Sequence, residues 1–144
     1  MAARIIELAD AIADFMDSHP YDPPSFTVQS QILPIIELEE TNSPRVYVYP
    51  SSFAHSPETR GNWRRSYTVT IELTKYLRQN TSDEFEMLLG TMEDIGDSLE
   101  DRVMSGMTMD SFGSTDAGRE LFDIEKGKGG NFFRAAIEAT YFEL

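Results

Sequence analysis

From Ala2 to Ser18 apolar residues recur at three- and four-residue steps: Ile5, Leu8, Ala9, Ile12, Phe15 and Met16 fall on one side, and Glu7, Asp10, Asp14 and Asp17 on the others. This spacing predicts an amphipathic helix. Pro20, Pro23 and Pro24 lack a backbone donor and force extended geometry, so the helix has to stop by His19. A histidine at that end is accounted for by the helix dipole rather than by a ligand role. The period then changes to two. Phe26, Val28, Ser30 and Ile32 alternate with Thr27, Gln29 and Gln31, which predicts a half-buried first strand. Pro34 interrupts it, and residues 35–44 read as a packed connection ending in a turn. Arg45 to Tyr49, bounded by Pro44 and Pro50, predicts a second strand. Ser51 to Asn62, with Pro57 and Gly61, reads as a long loop. Arg64 to Tyr76 carries the cleanest alternation in the chain, with Tyr67, Val69, Ile71 and Leu73 on one face and Thr68, Thr70, Glu72 and Thr74 on the other.

Thr81 and Glu84 have the spacing of a capping box ahead of Phe85, Leu88, Leu89, Met92, Ile95, Leu99 and Val103. At 100° per residue these positions fall within about 120° of arc, which predicts a second long helix with one apolar side. Gly106 and the Ser/Thr/Gly/Asp-rich residues 108–118 end it. Residues 119–125 read as an edge strand, Lys126 to Gly130 as a loose hinge, and Phe133, Ala135, Ile137, Ala139 and Tyr141 as the inner face of a closing strand. The element order is α, β, β, β, α, β, β. The chain therefore reads as a single α+β domain over residues 1–144, with a mostly antiparallel sheet of about four to five strands and two long helices packed on one face. The other face, with Thr27, Gln29, Thr68, Thr70, Glu72, Arg134 and Thr140, is polar enough to be wet or to meet another subunit.

Composition narrows the function classes. The 144 residues suit one domain with a sizeable core, and 40% hydrophobic residues exclude a disordered chain. The net charge of −13 argues against a general nucleic-acid binder or an anionic-membrane binder. There is no cysteine, hence no disulfide and no thiol nucleophile, which fits a reducing compartment. The apolar runs are too short for a membrane span or for the core of a signal peptide, so the expectation is a product of the cytoplasm.

Chemistry is sparsely marked. The two histidines, His19 and His55, have no nucleophile or orienting acid at a telling spacing. No metal motif occurs, and the KGKGG run at 126–130 lacks the remainder of a phosphate-binding loop. The reading is a non-enzyme with no cofactor and no metal. Charge is instead segregated. From Gln79 to Asp101 there are eight acids and no Lys or Arg, although exposed helices ordinarily mix signs. Glu86, Glu93, Asp94, Asp97, Glu100 and Asp101 form an acidic face, either plainly solvated, docked to a basic partner, or turned toward an anion that must not stick. Phe53, His55, Arg60, Trp63, Arg64 and Arg65 concentrate positive charge and aromatic surface in one stretch. Such residues mark interface hot spots, and they equally grip the acidic body of their own chain.

The succession ILPIIELEE, SPRVYVYP, an arginine-bearing stretch at 60–65, RRSYTVTIEL, EFEMLLGTMEDIGDSLEDR and AAIEATYFEL resembles small tailed-phage proteins of the tail terminator and tail completion family. The resemblance spans residues 26–103 and 132–144; residues 105–130 match nothing in it. It implies a non-enzymatic virion protein of the tail or neck, forming a homo-oligomeric ring of six on the tail tube. Such a ring ends tube polymerisation and offers the surface that joins the head. The implied partners are other copies, the tail tube protein and head-tail connector proteins, with DNA passing through a lumen whose carboxylates repel phosphate. The expectations that follow are that Phe53, His55, Arg60, Trp63, Arg64 and Arg65 form a subunit or tube contact, and that the acidic helix face lines the lumen or meets a partner. Residues 51–65 and 108–130 are expected to reach neighbouring subunits or the tube. Rival readings are a head-side connector, an acidic DNA mimic, and a small ligand-binding domain.

Overall fold

A computed structural model describes residues 3–21, 26–32, 44–59, 61–77, 82–100, 102–114, 122–127 and 130–143. Helix α1 is Arg4–Ser18, followed by β1 Thr27–Ser30, β2 Arg45–Thr59, β3 Asn62–Leu77, α2 Ser82–Leu99, β4 Thr108–Ser114, β5 Phe122–Gly127 and β6 Gly130–Glu143. The helix boundaries follow the punctuation in the sequence. Helix α1 ends at His19, whose extended ψ of 133° breaks the helix while its N–H still reaches the carbonyl of Phe15 at 3.0 Å. The proposed cap Thr81 lies outside the described residues.

The sheet runs in the order β1-β2-β3-β6-β4, with β5 also paired to β6. It is curled and mixed, which corrects the expectation of a mostly antiparallel sheet: α+β holds, but β1 lies parallel to β2, Thr27 opposite Arg45. The connection at 31–44 has the length of about a dozen residues that a parallel pairing requires. Two long hairpins make up the rest. In the first, β2 and β3 pair from Arg45–Thr74 out to Thr59–Asn62, so residues 51–59 are strand rather than part of the expected loop. In the second, β4 and β5 lie end to end along one edge of β6 while β3 occupies the other edge. Residues 108–114, expected to be irregular, form β4. Of the glycine-lysine run expected to be a loose hinge, Lys126 and Gly127 belong to β5 and Gly130 to β6, with Gly127 opposite Gly130; residues 128 and 129 lie outside the described residues. Glycine and serine in these stretches hide their strand character because their side chains carry no periodic apolar signal.

The core lies between the two helices and one face of the sheet. Leu8, Ala9, Ile12, Ala13 and Met16 of α1 and Leu88, Met92, Ile95 and Leu99 of α2 join Val46, Val48, Tyr67, Val69, Ile71, Leu73, Ala135, Ile137, Ala139 and Tyr141 in one cluster. Both helices therefore serve the same face, as the two periodicities require. The second face is not uniformly wet. Thr70, Glu72 and Thr74 are buried, as is Tyr47, which stands across from Glu72, whereas Thr27 and Gln29 are exposed. Thr68 and Thr140 share a hydroxyl hydrogen bond of 2.9 Å across β3 and β6. At the middle of β3 the outer face, expected to be wet or to meet another subunit, is polar but out of water within the chain, where the sheet curls and Tyr47 stands across from Glu72. The side chain of Arg134 lies outside the described residues.

Candidate functional site

Strand register decides which side chains the first hairpin presents. From Arg65 onward β3 is paired on both sides, Arg65 standing opposite Glu143 at the end of β6. Among the described residues Trp63 and Arg64 pair only with β2, so the hairpin extends past Glu143, the last described rung of β6, as an arm. Along β2, a register shift between Pro50 and Ser52 changes the phase of the alternation by one residue. Val46 and Val48 share the core face before the shift; after it, Phe53 takes that face opposite Tyr67. Continuing by twos, His55 and Pro57 of β2 stand opposite Arg65 and Trp63 of β3. The arm therefore carries the core face of the sheet out beyond the helices that cover it.

Burial changes where the arm begins. Tyr67 is buried, but residues 51–57 are all exposed, as are Trp63 and Arg65. Phe53 and Trp63 retain 67% and 57% of their accessible surface, large values for residues of the core-facing side. The Phe53 and His55 rings lie 5.9 Å apart on this face. Arg65 has no ion pair among the described residues. Arg64 points the other way and lies over the Phe142 ring at 3.7 Å, tying the arm to the end of β6. The structure thus gathers Phe53, His55, Trp63 and Arg65 on one face and separates Arg64 from them; Arg60 lies outside the described residues.

The root of the arm is fixed by a group that the sequence did not advertise. Arg4, at the start of α1, donates to Glu7, to the backbone oxygen of Ser105 at 2.9 Å and to the Glu143 carboxylate at 2.9 Å. Tyr67 donates to the other Glu143 oxygen at 3.3 Å. The Arg4 hydrogen bond holds the Glu143 carboxyl below its ordinary range, while burial raises the Tyr67 phenol. Arg4 and Glu143 stand at opposite ends of the chain, and no local spacing signals their meeting.

The acidic face is realised on α2. Glu86, Glu93, Asp94, Asp97 and Glu100 are exposed, opposite the buried Leu88, Met92, Ile95 and Leu99, and none has an ion pair among the described residues. Asp101 lies outside the described residues. Arg102 follows the helix but is turned back: its Nε donates to the Ser98 carbonyl at 2.6 Å and its guanidinium lies 4.6 Å from the centre of the Phe15 ring. Beside it His19 sits between Phe15 and Tyr21, at ring distances of 5.3 and 4.5 Å, and the Tyr21 hydroxyl meets Ser98 Oγ at 2.7 Å. Burial raises the Tyr21 phenol. This is packing that joins the two helix ends.

Among the described residues no three His, Asp or Glu side chains converge to hold a metal ion, and no helix is long and apolar enough to cross a membrane. What the geometry offers is surface: an aromatic and cationic arm at one place and, at another, an anionic helix face with no ion pair among the described residues.

No family model matches the sequence, and no curated protein sequence matches it. The fold does have solved counterparts. One is a chain of the structure described as "Virion of native gene transfer agent (GTA) particle", which is similar over 95% of this chain and 96% of that one, with a TM-score of 0.50 and 11% identity. At that identity the likeness is one of fold, and it extends over nearly the whole of both chains.

Proposed function

We propose that the protein is a structural component of a phage-like virion, a non-enzyme that works by assembling with copies of itself and with other particle proteins. The carrying observation is the whole-chain fold likeness to a chain from a gene transfer agent virion, reached independently of the sequence resemblance to tail terminators. The finer reading is a ring, six-membered in the resembling family, at the head-proximal end of the tail tube. It ends tube growth and receives the head. Segregated charge supports this reading, because ring closure needs two different complementary patches on each subunit. An acidic protein also suits a passage through which DNA must slide without sticking.

Electron microscopy of particles made without the chain tests the proposal. Loss of a terminator leaves overlong tubes without heads. Tails of normal length beside leaking heads would move the protein to the head side of the joint, and normal particles would remove the virion reading altogether.

A further inference from the structure

Among the described residues, nothing covers the core-side face of the β2–β3 arm and no cation pairs with the outer face of α2. Phe53 and Trp63 continue the apolar side of the sheet into solvent, with Arg65 and His55 alongside. The α2 face bears Glu86, Glu93, Asp94, Asp97 and Glu100 with no cation on the helix and no ion pair among the described residues. In a protein of net charge −13 two copies repel as a whole, so a contact between them needs a local reversal of sign. Residues 51–66 supply one, with Arg60, Arg64 and Arg65 against the single acid Glu58.

We propose that the arm docks on a second copy of this chain, laying the Phe53, His55, Trp63 and Arg65 face across the acidic outer face of the neighbour's α2. Three arguments select this occupant. The signs are complementary, and every copy carries both patches, so the contact is head-to-tail and repeats. The arm face offers two large rings, Phe53 and Trp63, beside the guanidinium of Arg65, the composition of an interface anchor. The register shift at Pro50/Ser52 returns Phe53 and His55 of β2 to the face that Trp63 and Arg65 of β3 already share, where an unshifted β2 would have turned them away. The inference deepens the assembly reading given above and concerns only contact between copies in solution. Its failure and that of the virion reading are therefore distinguishable.

The absence of cysteine makes site-directed cross-linking clean. Full-length His55→Cys and Asp97→Cys proteins, both positions exposed, are treated with a short bismaleimide, alone and mixed at equal concentration. The expected result is a cross-linked dimer in the mixture at about tenfold the yield of either protein alone, and a ladder of higher species from the doubly substituted chain. Adding Arg65→Glu should suppress the dimer and high salt should weaken it, while Asp14→Cys in place of Asp97→Cys should give only background. Circular dichroism of each variant confirms that it is folded. Equal yields from the α1 control and the α2 site, a product from His55→Cys alone that exceeds the mixture, or the absence of any arm-to-helix product at high protein concentration would each overturn the proposal. In the last case the arm would be left to a different protein, such as a tube subunit.

Discussion

The covered half of β2 and β3 and the projecting half have the same backbone and opposite surroundings. In the covered half Val46, Val48, Val69, Ile71 and Leu73 face two helices and are shielded completely. In the arm the same face continues through Phe53, His55, Trp63 and Arg65, and nothing among the described residues lies over it. The β2–β3 pairing continues from one half to the other across the register shift at Pro50/Ser52, so strand formation and burial are separate matters here. The backbone ladder holds the arm in shape, while the side chains of the arm add little to the stability of the monomer and remain available for contact with something else.

Substitutions sharpen that contrast. The largest effect belongs to the covered half: Ile71→Ala deletes a fully buried side chain of the central strand and should cost about 2–5 kcal/mol, read as a lower denaturation midpoint. A stability unchanged by this substitution would mean that the helices do not pack on the sheet as described. Two glycines come next, each with a positive φ and open space around the site of an added Cβ: Gly106 at +76° in the turn after α2 and Gly61 at +89° at the arm tip. Alanine carries the same backbone penalty of about 1 kcal/mol at both. Gly106→Ala should lower the global midpoint, whereas Gly61→Ala should loosen only the amides of the arm tip, as hydrogen exchange would show.

The root where the two halves meet responds to acid. Arg4→Ala removes the partner of Glu143 and should cost about 1 kcal/mol near neutrality. The Glu143 carboxyl is held low in the fold by the Arg4 hydrogen bond, so its contribution is complete above the ordinary carboxylate range and fades as the pH falls through the lowered value. The difference in stability between the native protein and Arg4→Ala should therefore shrink on acidification; a difference independent of pH would show that the pair contributes nothing through charge. The smallest effect on stability belongs to the arm face. Trp63→Ala should change the midpoint by less than about 0.5 kcal/mol while weakening self-association, measured by sedimentation velocity. A large loss of stability at Trp63 would erase the distinction between the two halves.

Much of this molecule was legible in its amino acids alone. The three- and four-residue recurrence of Leu8, Ile12 and Met16, and of Leu88, Met92, Ile95 and Leu99, marked two helices and the side each would bury. The alternation through Tyr67, Val69, Ile71 and Leu73 marked the central strand, because a half-buried strand must alternate. The uneven distribution of charge was equally plain. Strand identity between residues 51 and 59 and between 108 and 114 was hidden, since stretches rich in Ser, Pro, Gly and Thr have no apolar period to display. The parallel pairing of β1, the meeting of Arg4 with Glu143, the separation of Arg64 from Arg65 and the one-residue phase shift that turns Phe53 to the core side belong to the folded molecule. Periodicity along a chain records which residues must leave water. Which strands become neighbours, and in what register, is decided by contacts between residues far apart in sequence, and those exist only once the chain has folded.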